Sequence, residues 1–264
     1  MRYVLDHDLH IHSGLSTCSN DPEMNPQTIL EHAKKYHLKQ ICLTDHFWDE
    51  TVEGAPKWYI PQNYAHICEA KPLPQDENVE FLFGCETEFD SDFRVALAPE
   101  HYDRFDFVII PTTHMHMKCC VKPEDFDSIE RRTQLWIDRF DAVLSQDLPF
   151  HKIGIAHLAC EYMGFPSREN FLKGFASIPD SEFERLFTKA AKLGVGIELN
   201  FEEEALQDAE IVFRPFKIAK KCGCKFYFGS DAHHPQSLEK AIVRYEKIID
   251  ILELEESDKF HIGR

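Results

Sequence analysis

Short apolar, β-branched runs alternate with amphipathic stretches along almost the whole chain. The runs are Tyr3–Leu5, Gln40–Thr44, Val79–Gly84, Phe105–Thr112, Lys152–Leu158, Val195–Leu199 and Lys225–Phe228. Each has a length suited to a strand, and most of the intervening stretches carry helical period or a helix-start signal. Asn25-Pro26 opens one helix, with Asn as cap and Pro as first helical residue, and its apolar positions Ile29, Leu30 and Ala33 share a face. Ser181-Glu-Phe-Glu184 reads as a capping box ahead of Leu186, Phe187, Ala190 and Ala191, and Gly194 suits a left-handed stop. Residues 236–253 predict another long amphipathic helix. Strands alternating with helical crossovers predict an α/β fold with a parallel sheet, because parallel neighbours cannot be joined by tight turns. At 264 residues the sheet is expected to close into a TIM-like barrel.

No linker or repeat interrupts this alternation, so residues 1–264 are expected to form a single domain. Residues 47–78 break the rhythm. They are rich in Pro and aromatics (Trp48, Trp58, Tyr59, Tyr64), as a lid or binding loop would be, or an insertion packed on the rim. Residues 255–264 read as a polar tail.

Charge narrows the partners. The formal net charge of −17 repels nucleic acid phosphates, and the basic clusters Arg131-Arg132, Lys189 to Lys192 and Lys220-Lys221 sit in helical patterns as solvated faces. A small-molecule substrate is expected instead. No run is long and apolar enough for a membrane span, and no secretory signal opens the chain. The nine scattered cysteines, including Cys119-Cys120 and Cys222-x-Cys224, suit free thiols in a reducing cytoplasm. Oligomeric state is not legible.

The candidate chemistry lies where the strands end. The successive ends deliver Asp8-Leu9-His10-Ile11-His12-Ser13, Thr44-Asp45-His46, Gly84-Cys85-Glu86, Thr112-Thr113-His114-Met115-His116, Ala156-His157, Glu198 with Asn200, and Gly229-Ser230-Asp231-Ala232-His233-His234. In barrels the C-terminal ends of the strands build the active site. His10 and His12, two apart on an extended segment, point to one side, and Asp231 and His233 repeat that spacing. Closure of the barrel would bring the two pairs together. Such a set of imidazoles and carboxylates suits Zn²⁺, Mn²⁺ or Fe²⁺. Any one of these histidines alone is more simply a satisfied polar residue; the phase they share with the strands carries the inference. His7, His32, His37, His66, His101, His151 and His261 are out of phase and are expected at the surface or in packing.

In this order the motifs resemble the PHP superfamily, named for polymerase and histidinol phosphatase. Its pattern of D-x-H-x-H-S, T-D-H, G-x-E, two separated histidines and S-D-A-H matches Asp8 to Ser13, Thr44 to His46, Gly84 to Glu86, His114, His157 and Ser230 to His233. Gly229 to His233 and the length look most like histidinol-phosphatase-type members, which act in histidine biosynthesis. The resemblance implies a distorted (β/α)7 barrel holding two or three divalent ions. The ligands it implies are His10, His12, His46, Glu86 (bridging two ions), His114, His157, Asp231 and His233, with either Cys18 or Asp21 as one more. Asp45 is expected to orient a ligand histidine.

Such a cluster clamps a phosphoryl oxygen and lowers the pKa of a bridging water, whose hydroxide then attacks phosphorus in line. The expected activity is therefore hydrolysis of a small phosphate ester, histidinol phosphate or similar, with Asp231 at the reacting centre and His233 or His234 protonating the leaving oxygen. One feature departs from the family pattern. The segment Asn200 to Glu210 is acidic where phosphate recognition is expected, so either its acids face solvent, or phosphate is held by others such as Arg168, Arg214, Lys118 or Lys122, or the substrate is different. Two other readings stand beside this one: an amidohydrolase-like C–N hydrolase, and a metal-binding PHP module without catalysis.

Overall fold

A computed structural model describes residues 1–19, 21–126, 128–160 and 164–263. Its strands are β1 (His7–Ile11), β2 (Gln40–Leu43), β3 (Glu80–Phe83), β4 (Cys85–Glu86), β5 (Val108–Pro111), β6 (Ile153–Ala156), β7 (Gly196–Leu199) and β8 (Lys225–Phe228). All pair in parallel, in the orders β1-β2-β3 and β4-β5-β6-β7-β8. Only Gly84 separates β3 from β4, so together they stand where one barrel strand was expected. At the other seam Ile11 bridges Ala232, and the Asp231 amide donates to the His10 carbonyl at 2.7 Å. These seams complete a ring of seven strand positions with the third broken.

Alternation along the strands fills the ring. Leu9, Cys42, Phe107, Ile109, Ala156 and Tyr227 form the interior cluster. Val108, Ile110, Ile153, Ile155, Ile197, Leu199, Phe226 and Phe228 join the large outer cluster, which also holds buried faces of the surrounding helices. Gly154 is required by this filling: a Cβ there would collide with the rings of Tyr227 and Phe107.

The helices are α1 (Pro26–Lys35), α2 (Tyr64–Ile67), α3 (Ile129–Val143), α4 (Arg168–Ser177), α5 (Asp180–Leu193), α6 (Ala209–Val212), α7 (Arg214–Lys221) and α8 (Pro235–Leu252). α1 starts as expected, with the Asn25 side chain accepting from the Thr28 amide, and α5 stops at Gly194 with φ 72°. The capping box expected at Ser181 is not formed. α5 starts at Asp180 after Pro179, and Asp180 and Glu182 put negative charge in its first turn instead. Among the described residues no helix is long and apolar enough to cross a membrane.

Two expectations are corrected, and a third is narrowed to the insertion packed on the rim. Tyr3–Leu5 is not a strand. β1 lies further on, over the HDLHI sequence itself, and Tyr3 packs beneath the barrel with its hydroxyl on the Phe226 carbonyl. Residues 255–263 are not a solvated tail. Phe260 is buried against Phe107 and Tyr227, and Lys259 is buried with its ammonium on Asp6 and Glu256. The segment 47–78 folds down onto the body: Trp48 and Tyr59 are buried, and Tyr59 packs at one end of the barrel beside His46.

Candidate metal centre

The local fold aims the β1 histidines inward. Leu9 packs inside the ring while Ile11 packs outward against α1 and α8, although strict alternation would put both on one side. The register shift between Asp8 and Ile11 supplies the change of parity, as a bulge does. His10 and His12 then both face the mouth, with 3.1 Å between their Nε2 atoms.

Glu86 is the hub. Its Oε2 lies 2.8 Å from His46 Nδ1, 3.4 Å from His12 Nε2 and 3.6 Å from His10 Nε2. Its Oε1 lies 3.3 Å from His157 Nε2 and 3.8 Å from His114 Nε2. Asp231 approaches from β8, with Oδ1 3.0 Å from His12 Nε2 and Oδ2 3.7 Å from His157 Nε2. His233 stacks on His12 with ring centroids 4.3 Å apart. All eight residues that the resemblance implies as ligands meet here. They fall into overlapping groups whose donor atoms lie within 4.8 Å of one another: His12, His46 and His233; His10, His12, Glu86 and Asp231; His10, His157 and Glu198; and Glu86, His114 and His157. His157 and Asp231 hold φ of 60° and 52°, left-handed values that cost non-glycine residues energy and tend to cluster at functional sites.

A surrounding shell fixes the imidazoles. His10 Nδ1 donates to Glu198 Oε1 at 2.6 Å, and His114 Nδ1 to Glu88 Oε1 at 2.7 Å. His233 Nδ1 donates to the Asp231 carbonyl at 2.8 Å. His12 Nδ1 donates to Ser16 Oγ, which donates in turn to Asp45. Asp45 thus orients a histidine as expected, through a serine. In each case the Nδ1 proton is engaged and Nε2 is left to coordinate.

These residues fit bound cations. Glu86 Oε2 and His46 Nδ1, 2.8 Å apart, are not aligned as a hydrogen bond and have no other hydrogen-bond partner, and the carboxyl groups of Glu86, Glu88 and Glu198 are buried together. Burial alone would keep protons off His12 and His114, but Asp231 and Glu86 around the first, and Glu88 around the second, push each up to about 9. The surrounding histidines likewise hold the Glu86 carboxyl well below its ordinary value against the pull of burial. The site gathers positive charge, which divalent ions would supply in place of protons.

The cavity over the cluster has a volume of about 380 Å³ and is lined by Cys18, His46, Trp58, Glu86, His114, His116, Met117, His157, Asp231 and His233. Cys18 therefore reaches the cavity, whereas Asp21 accepts from His234 Nδ1 at 2.8 Å, away from the lining. His234 is drawn off with it, which removes it as a group facing the reacting centre.

The basic residues expected to hold phosphate are elsewhere. Arg214 donates to the Phe175 and Ile178 carbonyls at the end of α4 and stacks on Phe183. Arg168 pairs with Asp208. Lys122 pairs with Asp92, and Lys118 is exposed outside the lining. The acidic segment after β7 explains part of this. Glu202 binds Arg244, Asp208 binds Arg168, and the carboxylates thus face neighbouring helices rather than the cavity.

One buried carboxylate, Glu88, was missed as a member of the site, and another, Glu198, was offered but left out of the ligand set. Glu198 was visible at a strand end. Glu88 repeats, relative to Glu86, the two-residue spacing of the histidine pair, and that spacing is its signal.

The PHP domain family model matches residues 8–200. A protein of Aliivibrio fischeri described as a probable phosphatase is 25% identical over 231 residues, covering 84% of this chain and 77% of its own. Among solved structures, the histidinol phosphate phosphatase of Lactococcus lactis, complexed with zinc, L-histidinol and phosphate, is similar with a TM-score of 0.65. It is 16% identical, with 97% of this chain and 98% of that chain covered. A candidate histidinol phosphatase of Listeria monocytogenes gives a TM-score of 0.59 at 13% identity, over 90% of this chain and 99% of that one. With its family model spanning the strands from β1 to β7 and its motif residues gathered at one mouth, this chain belongs to the PHP family.

Proposed function

We propose that this chain is a metal-dependent phosphoesterase that hydrolyses a small phosphomonoester of the histidinol phosphate type, using two or three divalent ions held by His10, His12, His46, Glu86, His114, His157, Asp231 and His233. The observation that carries the reading is the convergence of five histidines on Glu86 at the floor of a cavity of about 380 Å³. When bound, the ions would polarise phosphoryl oxygens and bring a water's pKa towards neutrality. The chain's own residues do the rest. Glu86, shared by two donor groups, and Asp231, between His12 and His157, would hold more than one ion together. Glu198, Glu88 and Ser16 lock the rings of His10, His114 and His12. Charge recognition of phosphate rests on this centre, since the lining contains no Arg or Lys among the described residues.

The outer wall of Trp58, Met117 and His116 suits a compact leaving group with an aromatic ring, and the similar Lactococcus lactis enzyme binds L-histidinol, which carries an imidazole. His233 is a poor proton donor, because its Nδ1 proton is held by the Asp231 carbonyl and it belongs to a donor group with His12 and His46. His116, on the wall and outside the ligand groups, is assigned that role instead. Cysteines that form no disulfide among the described residues suit a reducing cytoplasm.

Purified protein should carry two or three ions per chain by elemental analysis and release phosphate from histidinol phosphate faster than from sugar or nucleotide phosphates. Fewer than two ions, or no release with Zn²⁺ or Mn²⁺ supplied, would sink the reading. His116→Ala should slow alkyl phosphates at least tenfold yet spare p-nitrophenyl phosphate, whose leaving group needs no acid; equal losses would remove His116 from that role.

A further inference from the structure

Glu88 is fully buried and sits between two parts of the molecule. Its Oε1 accepts from His114 Nδ1 at 2.7 Å and from the Tyr59 hydroxyl at 2.5 Å, while Oε2 accepts from Cys120 Sγ at 3.3 Å. One oxygen thus serves a residue of the metal centre and a residue of the segment that forms the cavity wall. Tyr59 is itself buried, and Trp58 beside it turns its ring edge to His46 at a centroid distance of 5.1 Å. Gln62 ties the same segment down, accepting from the Thr17 amide at 3.0 Å and donating to the Trp58 carbonyl at 3.2 Å.

We infer that Glu88 is a positioning residue that couples the ion held by Glu86, His114 and His157 to the placement of the wall segment carrying Trp58 and Tyr59. This rests on the metal-centre reading above. The physical reason is the shared acceptor. A cation on His114 Nε2 makes the Nδ1 proton more acidic and strengthens its bond to Glu88, which fixes the carboxylate that Tyr59 must reach. Linkage makes the effect reciprocal: whatever holds Tyr59 in place favours the ion by the same factor. The wall that recognises the leaving group is then held more firmly when that ion is bound.

The test is amide hydrogen exchange over residues 47–62 with and without Zn²⁺, alongside competitive Zn²⁺ titration, in the wild type, Tyr59→Phe and Glu88→Gln. The expected result is slower exchange in the wild type on adding Zn²⁺, with that protection lost in both variants. One Zn²⁺ should weaken about 10- to 100-fold in each variant while the others hold. Zn²⁺ that binds the wild type without slowing exchange at 47–62, or binds Tyr59→Phe with every affinity unchanged, overturns the coupling and leaves the metal centre standing. A wild type that binds no Zn²⁺ overturns both. Tyr59→Phe removes one hydroxyl, so it decides the matter even where Glu88→Gln does not fold.

Discussion

At the residue scale, this protein buries ionisable groups by giving each a specific partner, and exceptions are informative. His32 on α1 is buried, and its Nε2 has no hydrogen-bond partner. Burial pushes its pKa down from 6.5 to about 4, with Lys35 adding to the effect and Glu239 opposing it. A depressed base is neutral in the folded chain and takes a proton more readily when unfolded. Its contribution to stability is whole above pH 6.5 and is lost as pH falls towards 4. Urea midpoints should therefore drop between pH 7 and pH 5 by more in the wild type than in His32→Leu; parallel drops would remove His32 as the cause. The same rule of partnering explains the misplaced phosphate ligands. Arg214 and Arg168 looked available by charge, yet each satisfies carbonyls or a carboxylate where α4 meets its neighbours. Sequence shows that an arginine is present, and only packing shows which acceptors have claimed it.

At the element scale, the strands that were easy to read are those whose outward residues are uniformly apolar, such as β5 and β6. β1 was displaced for the opposite reason. Its HDLHI sequence carries polar ligands inward at the mouth, so the apolar signal fell instead on Tyr3-Val4-Leu5, where Tyr3 is buried and Val4 exposed without a strand forming. The last segment was misjudged likewise, since one aromatic among polar residues, Phe260, decides its fate. Phe260 closes the barrel floor against Phe107 and Tyr227, at the start of β8 and away from the metal centre. Phe260→Ala should cost about 3–5 kcal/mol of stability, read by denaturant unfolding, while metal stoichiometry stays that of the wild type. A loss of bound metal in the folded variant would show that floor and mouth are not independent.

At the scale of the whole molecule, a net charge of −17 coexists with a buried nest of carboxylates, Glu86, Glu88 and Glu198, beside Asp231. Divalent ions bound there stabilise the folded chain by mass action, about 2.7 kcal/mol for a site at 100 times its Kd. Chelation should lower the thermal midpoint by several degrees, and Zn²⁺ or Mn²⁺ should restore it; an unchanged midpoint in a fully stripped protein would argue against ligands that span the barrel. By itself the sequence determined the alternation of strands and helices, the parallel sheet and a set of candidate donors at the strand ends, because periodicity and strand-end position are local properties of the chain; the order of its motifs, through the family resemblance, narrowed those candidates to the eight that meet. Only the tertiary structure decided the bulge that turns His10 inward, the enlistment of Glu88 and Glu198, the withdrawal of Asp21 and His234 to the rim, and the loss of the arginines to other partners. Those outcomes depend on which groups become neighbours across 26 to 213 positions of sequence. Hydrogen-bond partners at that range are chosen by packing, which no local pattern encodes.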